Sequence, residues 1–209
     1  MLLASVGSTA DPANGGRQMP SHWGNQALHI VAGSSATTTQ LLHAVGAAEA
    51  GLIYSRVAAI PDGESFFHGD EVVFASLGEG STSEGEFWEA ITAACTRRLP
   101  VLFLVEDNGY AISVPVEVET PGGDISRLVG SFPGLHVSSV DGTDFLASLE
   151  TMRRRGCVRQ GARKGPALVH AHVVRPYSHS HSDDERSASR QRSARRKPKR
   201  DPIRVSRNS

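Results

Sequence analysis

The sequence contains little cysteine, few aromatic residues and no long apolar run. Two cysteines among 209 residues, Cys95 and Cys157, cannot build a disulfide framework, and their spacing excludes a CxxC metal site. A reduced, cytoplasmic compartment is therefore expected. No stretch approaches the ~18 apolar residues of a transmembrane helix, and the first residues lack the features of a secretory signal. We expect no membrane partner.

The sequence as a whole also lacks a net charge, but its basic and acidic residues are unevenly distributed. Residues 186–209 carry ten basic residues and one acid, a net +9, whereas residues 1–185 carry 12 basic residues and 21 acids, a net −9. This split excludes a uniformly basic nucleic-acid-binding domain. Because the basic segment has no aromatic residue for base stacking, a disordered, solvated tail is favoured over a nucleic-acid-binding arm. We expect a folded domain over residues 1–185 and a basic tail over 186–209.

Apolar runs and helical periodicities alternate along the rest of the chain. Strands are predicted at 72–77, 101–105, 135–140 and 166–174, and helices from residue 38 and over 143–155. The run at 72–77 is continuous, which is typical of a parallel strand buried on both faces. A further helix is predicted after Gly80, with Ser83 and Glu86, or Ser81 and Glu84, as its capping box. The alternation predicts the α/β class, with an open, mostly parallel sheet and flanking helices.

Two oxygen-bearing side chains follow neighbouring predicted strands. Glu79 lies between Gly78 and Gly80 directly after the first strand, and Asn108 follows the next one. The carboxyl ends of parallel strands are where α/β proteins bind ligands, so these side chains should lie close together. A carboxylate, an amide oxygen, a main-chain carbonyl and diphosphate oxygens would suit Mg²⁺. The alternative is an ordinary strand–helix connection with a solvated glutamate.

Longer motifs favour the metal-site interpretation by resemblance. The segments Gly78–Gly85 and Glu106–Ser113 resemble the thiamine-diphosphate motif, and Tyr110–Ser113 is similar to the alpha subunit of 2-oxoacid dehydrogenases. Further segments match the same subfamily: Gly16–Gly24, Ser34 and Ser35 with Thr39 and Gln40, Arg175 with His179–Asp184, and Lys199–Arg204. The resemblance covers about 190 residues of the sequence. It implies a thiamine-diphosphate-binding fold and thiamine diphosphate with Mg²⁺ as cofactors.

The resemblance also implies roles for individual residues. Glu79, Asn108 and the Tyr110 carbonyl would hold Mg²⁺, and Gly78, Gly80 and Ser81 would line the diphosphate. Ser35 and Thr37 would contact the aminopyrimidine side of the cofactor. Arg175 would approach the diphosphate, and His179 would be the catalytic histidine near the thiazolium and the substrate, where an imidazole can donate a proton. His170 and His172, two apart on one strand face, are interpreted as strand packing.

The implied activity is decarboxylation of a 2-oxoacid and transfer of the acyl group to lipoamide. In this family a beta subunit supplies the glutamate that activates the cofactor, so we expect a heterotetramer, no turnover by this chain alone, and a lipoyl-bearing acyltransferase as a further partner. The segment Gly16–Gly24 favours a 2-oxoisovalerate type of substrate over pyruvate. Acetoin or pyruvate dehydrogenase alpha subunits are enzymatic alternatives.

The chain departs from the family pattern at several places. Glu79 stands where the pattern has Asp, which moves the carboxylate by roughly 1.5 Å, and Asp107 stands where it has Asn. Asp107 adds negative charge that would either assist Mg²⁺ or repel diphosphate. The sequence also lacks regions that the family has before and after it, so we expect truncation at both ends. A truncated, non-catalytic fragment is therefore a second functional alternative.

Overall fold

The computed structural model describes residues 2–57, 60, 67–156 and 165–180. The chain divides into two compact units, Met1–Gln40 and Leu41–Ser209. The basic tail predicted over 186–209 lies outside the described residues. Among the helices that are described, none is both long enough and apolar enough to cross a bilayer.

The first unit is mostly irregular. Helix α1 (Leu2–Ser5) is a single turn, and a 3₁₀ turn spans Gln26–Leu28. That turn closes a bridge between Asn25 and Ile30, and the Asn25 side chain caps it by accepting a hydrogen bond from the Leu28 amide at 3.0 Å. Helix α2 (Thr39–Arg56) begins at the end of this unit, close to the start predicted at residue 38.

Helices and strands alternate through the second unit. In chain order they are β1 (Val73–Gly78), α3 (Gly85–Arg97), β2 (Val101–Asp107), β3 (Tyr110–Ala111), β4 (Val114–Pro115), α4 (Val116–Glu119), α5 (Ile125–Val129), β5 (His136–Asp141), α6 (Phe145–Gly156) and β6 (Ala167–His172). Two 3₁₀ segments, Glu79–Ser83 and Pro121–Gly123, lie between them. The four longer strands begin and end within about two residues of the predicted ones.

The four longer strands form one parallel sheet in the order β1-β2-β6-β5. Gly78 at the end of β1 pairs with Glu106, and Asp107 at the end of β2 pairs with His172. The carboxyl ends of β1, β2 and β6 therefore meet at one edge, and the segments that leave them start side by side. The predicted α/β class with a mostly parallel sheet is confirmed; the antiparallel pair β3–β4 lies outside this sheet.

Both faces of the sheet carry apolar side chains. Val101, Phe103 and Val105 of β2 belong to the larger core, together with buried residues of α2, α3 and α5. Leu102 on the opposite face packs in a smaller core with Val169 and with Met152 of α6. Alternate residues of β2 enter different cores because successive side chains of a strand point to opposite faces. Packing on both faces of β2 therefore holds its carboxyl end in place.

Two local predictions are wrong. The first strand is not buried on both faces, because β1 is an edge strand whose residues alternate: Ala75 and Leu77 are buried, whereas Phe74 is 54% exposed. The capping box also fails, since Glu84 is the N-cap of α3 and makes no side-chain capping hydrogen bond. Residues 79–83 form a 3₁₀ turn instead, which takes Ser81 and Ser83 away from the capping position.

Candidate functional site

Glu79 is the most deeply buried acidic side chain at the carboxyl edge. The chain leaves β1 at Gly78 and turns at once into the 3₁₀ segment Glu79–Ser83, which leaves Glu79 only 1% exposed. Its Oε1 accepts a hydrogen bond from the hydroxyl of Thr120, which is also buried. Its Oε2 is buried and has no hydrogen-bond partner among the described residues. A buried carboxylate oxygen in this state is costly unless a donor or a cation meets it.

The surroundings of Glu79 disfavour its negative charge. Burial raises the pKa of this carboxyl above its ordinary value, and the Thr120 hydroxyl opposes that effect. The negative charges of Asp107 and Glu119 raise the pKa further, while His170 acts in the opposite direction. A positive charge at this point would therefore relieve both the burial and the repulsion.

Asn108 and Tyr110 follow β2 at the same edge. The Asn108 Oδ1 is buried and has no hydrogen-bond partner within the part of the chain that the structure describes. Gly109 has a φ of 82°, a conformation that glycine adopts without strain, and it turns the chain into β3. The pairing of β3 with β4 then fixes the Tyr110 backbone. The predicted pairing of the Glu79 and Asn108 segments follows from the parallel alignment of β1 with β2.

Gly80 allows the two segments to approach closely. A Cβ atom at this position would lie 2.5 Å from the Cβ and 3.0 Å from the Cα of Ala111, and 3.3 Å from Glu119 Oε2. Gly78 is different, because a Cβ there would meet no atom of the described residues within 4 Å. The first glycine of the motif therefore leaves space at the edge, and the second permits contact with β3.

Glu119 is a site residue that sequence reasoning missed. It ends the short helix α4, its Oε1 accepts a hydrogen bond from Ser83 at 3.2 Å, and its buried Oε2 has no partner in the described ranges. Three buried oxygens with unmet bonding capacity thus come from segments around one sheet edge: Glu79 Oε2, Asn108 Oδ1 and Glu119 Oε2. Oxygen donors of this kind fit a hard cation such as Mg²⁺. Glu119 belongs to none of the sequence motifs, so neither a motif nor a residue spacing predicted its place in the site.

The Asp107 carboxylate makes its contacts with β6 and with the Gly109 amide. Its Oδ1 accepts the Gly109 amide at 2.7 Å, and its Oδ2 lies 2.9 Å from His170 Nε2 and 3.5 Å from His172 Nδ1. Burial alone would raise the pKa of Asp107, but the bonds from His170 and Gly109 outweigh it and hold the pKa below its ordinary value. His170 is fully buried and His172 is half exposed. Both histidines face the same side, as predicted, but polar contacts rather than packing alone hold them.

Arg175 and His179 lie on the segment that leaves the carboxyl end of β6. Arg175 Nη2 donates to the Ile112 carbonyl at 2.8 Å, which joins this segment to the turn between β3 and β4. His179 is exposed. The matching residues beyond it, from His181 to Asp184, lie outside the described part.

Ser35 and Thr37 belong to the first unit, where both are exposed. Ser35 Oγ is hydrogen-bonded to His22 Nε2 at 2.6 Å, and the Thr37 carbonyl accepts the Thr38 hydroxyl at 2.6 Å. The pair His22–Ser35 brings together two of the sequence segments that carry the family resemblance.

Comparison with known proteins gives the family. Residues 1–208 match the model of the family described as dehydrogenase E1 component. The chain belongs to this family. The 2-oxoisovalerate dehydrogenase subunit alpha of Bacillus subtilis (strain 168) is 35% identical over 205 residues, which cover 97% of this chain and 57% of that protein. The mitochondrial 2-oxoisovalerate dehydrogenase subunit alpha of Caenorhabditis elegans is 36% identical over 175 residues, 84% of this chain and 37% of that protein.

A solved structure is also similar to this E1 component chain. A protein from Mycobacterium smegmatis, described as a thiamin diphosphate-dependent enzyme, is 26% identical and aligns with a TM-score of 0.46 over 70% of this chain and 24% of its own. This chain covers only part of the length of its relatives, namely 57% of the Bacillus subtilis protein and 37% of the Caenorhabditis elegans protein.

Proposed function

We propose that this chain binds thiamine diphosphate with Mg²⁺ and forms the cofactor-binding part of the alpha subunit of a 2-oxoacid dehydrogenase. The observation that carries the proposal is the set of buried, unpartnered oxygens at the carboxyl edge of the parallel sheet. In a member of the dehydrogenase E1 component family, that edge is the expected place for a cofactor.

Glu79, Asn108 and the Tyr110 carbonyl would hold the Mg²⁺ ion. The Glu79 Oε2 and the Asn108 Oδ1 lack partners within the described residues, so binding a cation would cost them no existing hydrogen bond. The cation would also offset the burial and the repulsion that oppose the negative charge of Glu79. Thr120 holds the other carboxylate oxygen and thereby fixes which oxygen is left for the metal.

The diphosphate would lie against Gly78, Gly80 and Ser81. The side of Gly78 where a Cβ would stand is open, which leaves room for a phosphate close to the backbone. The N-terminus of α3 follows the 3₁₀ segment, and its N-cap residue makes no side-chain capping hydrogen bond, so backbone amides can meet an anion there. Arg175, held by the Ile112 carbonyl, would add positive charge on the β6 side.

The reaction we propose is the decarboxylation of a 2-oxoacid followed by acyl transfer to lipoamide. Thiamine diphosphate, when bound, supplies the electron sink for this chemistry. Exposed His179 would hold or donate a proton beside the substrate through an imidazole nitrogen. Ser35 and Thr37 would contact the aminopyrimidine side. The two 2-oxoisovalerate dehydrogenase relatives support a branched 2-oxoacid as the substrate.

Two partners belong to the proposal. A beta subunit would supply the glutamate that activates the cofactor, and a lipoyl-bearing acyltransferase would accept the acyl group. The alpha-subunit names of the relatives support the first partner. On this proposal the chain alone binds the cofactor weakly and does not turn over.

Calorimetric titration of thiamine diphosphate tests the proposal, with and without Mg²⁺ and with and without a co-expressed beta subunit. We expect Mg²⁺-dependent binding that strengthens with the partner, and decarboxylation of 2-oxoisovalerate only with the partner. If neither preparation binds the cofactor, the chain is a non-catalytic fragment. Turnover by the chain alone would contradict the need for a beta subunit.

A pair of substitutions separates the metal site from general effects of charge. Glu79→Gln removes the charge of a buried side chain at the edge, whereas Glu89→Gln removes the charge of an exposed residue on α3. We expect Glu79→Gln to abolish the Mg²⁺ dependence of binding and Glu89→Gln to preserve it. Equal behaviour of the two variants would remove Glu79 from the metal site.

A further inference from the structure

A second group of ligating side chains lies on the β6 side of the sheet edge. Asp107, His170 and His172 each present one ligand atom, and these three atoms all lie within 4.8 Å of one another. Asp107 Oδ2 is 2.9 Å from His170 Nε2 and 3.5 Å from His172 Nδ1. In a tetrahedral zinc site, ligands about 2.0–2.1 Å from the ion are separated from each other by roughly 3.3 Å. The observed distances lie on either side of that value.

The backbone places these residues with little freedom. β2 and β6 are parallel neighbours, with Asp107 in register with His172. His170 and His172 are two apart on β6, so their side chains project from the same face, and their ring centroids are 4.3 Å apart. The register of two buried strands therefore assembles the group.

Asp107 and His172 each make a second hydrogen bond outside the group, and the second ring nitrogen of His170 faces a carboxylate. Asp107 Oδ1 accepts the Gly109 amide at 2.7 Å, which leaves Oδ2 to face the histidines. His170 Nδ1 is buried, has no hydrogen-bond partner in the described residues, and lies 3.4 Å from Asp124 Oδ1. His172 Nε2 is hydrogen-bonded with Ser139 Oγ at 3.0 Å. Metal-binding histidines characteristically direct their second nitrogen to a carboxylate or another acceptor, which fixes the tautomer.

We propose that Asp107, His170 and His172 bind a Zn²⁺ ion. Two imidazoles and one carboxylate favour a borderline transition-metal ion over Mg²⁺, which prefers oxygen ligands alone. With the ion on Nε2, any proton on that nitrogen passes to solvent, and the metal-bound ring is neutral with its one proton on Nδ1, facing Asp124. His172 binds through Nδ1 and keeps its proton on Nε2, facing Ser139. The fully buried His170 and the half-exposed His172 leave the ion one side open to solvent.

This site uses different side chains from those of the proposed magnesium site. The magnesium donors are all oxygens, and Asp107 directs its carboxylate to the histidines and to the Gly109 amide. A Zn²⁺ ion here would tie the end of β2 to β6 immediately before Asn108. The alternative is a simple Asp107–His170 hydrogen bond that holds two strands together, a role for which His172 is unnecessary.

Titration of the purified full chain with Co²⁺ tests the proposal, since Co²⁺ gives visible absorption at Zn²⁺ sites. The chain is stripped with a chelator and titrated without thiamine diphosphate or Mg²⁺. His172→Ala is the main variant because this side chain is half exposed and its loss should be tolerated by the fold. His136→Ala, on β5, is the matched control because it removes a histidine outside the group. Asp107→Asn is the second variant.

We expect the wild type and His136→Ala to bind one equivalent more Co²⁺ than His172→Ala, with a visible absorption band that Zn²⁺ abolishes. Asp107→Asn should weaken binding about tenfold or more. Equal stoichiometry and equal spectra in the wild type and His172→Ala would overturn the proposal and leave the hydrogen-bond role. Because the assay contains no cofactor, its result is independent of whether thiamine diphosphate binds.

Discussion

The two glycines around Glu79 give the sharpest test of how the edge is built. A Cβ at position 80 would lie 2.5 Å from the Cβ of Ala111, about 1 Å closer than a normal carbon–carbon contact. The neighbour is the backbone and the short side chain of β3, neither of which can rotate away. Gly80→Ala must therefore push β3 outward or move the 3₁₀ segment.

Overpacking of this kind costs about 1–3 kcal/mol in well-packed regions. For a chain of this size, each kcal/mol lowers Tm by roughly 2–4 °C. We therefore expect Gly80→Ala to lower the free energy of unfolding by about 1–3 kcal/mol, measured by urea and thermal denaturation followed by circular dichroism. The displaced β3 also moves the Tyr110 carbonyl, so Mg²⁺-dependent binding of thiamine diphosphate should weaken in calorimetry.

Gly78→Ala is the matched control in the same motif. Within the part of the chain that the structure describes, a Cβ there meets no atom closer than 4 Å, and the φ of −75° and ψ of 156° suit any residue. Its stability should stay within about 0.5 kcal/mol of the wild type. If the diphosphate occupies the open side of Gly78, this variant loses cofactor affinity without losing stability. Wild-type stability in Gly80→Ala, or equal losses in the two variants, would refute the reasoning.

Three further predictions follow from buried contacts. Phe103→Ala should lower the free energy of unfolding by about 3–5 kcal/mol because Phe103 is fully buried. Phe74→Ala, at a 54% exposed residue of the same sheet, should lower it far less. Similar losses of the two variants in urea denaturation would contradict the core assignment. Thr120→Val should destabilise the chain by about 1–3 kcal/mol because it leaves Glu79 Oε1 without its donor, and Thr120→Ser should restore most of the loss in the same assay. Asp124→Ala should cost about 0.5–2 kcal/mol at neutral pH because the carboxylate caps α5. Burial raises the pKa of Asp124, but its hydrogen bonds with Ser126 and Arg127 outweigh burial and hold the pKa below the ordinary value of an aspartate. The stabilisation is therefore present above that ordinary value and is lost as the pH falls through the lowered pKa. The free energies of unfolding of the wild type and of Asp124→Asn, measured from pH 7 to pH 2, test this prediction. A stability advantage of the wild type that grows as the pH falls would contradict it.

The fold was largely predictable because its strands are short apolar runs between glycine-rich turns. Burial of β2 and β6 follows directly from such runs. The exposure of Phe74 could not be read from the run at 72–77, because strand order, and not composition, decides which strand lies at the edge. The capping box failed for a related reason: Ser83 has a partner in Glu119, 36 residues away, which a local motif does not reveal.

The sequence by itself determined the α/β class, the strand positions and the motif residues around Glu79 and Asn108, since these depend on periodicity and on local spacing. Only the tertiary structure decided the roles of Glu119 and of the group Asp107, His170 and His172. Their side chains meet because β6 lies beside β2 and because α4 returns to the sheet edge. Contacts between residues more than 60 positions apart, such as Asp107 with His170, depend on the register of strands, and a single sequence carries no direct signal of that register.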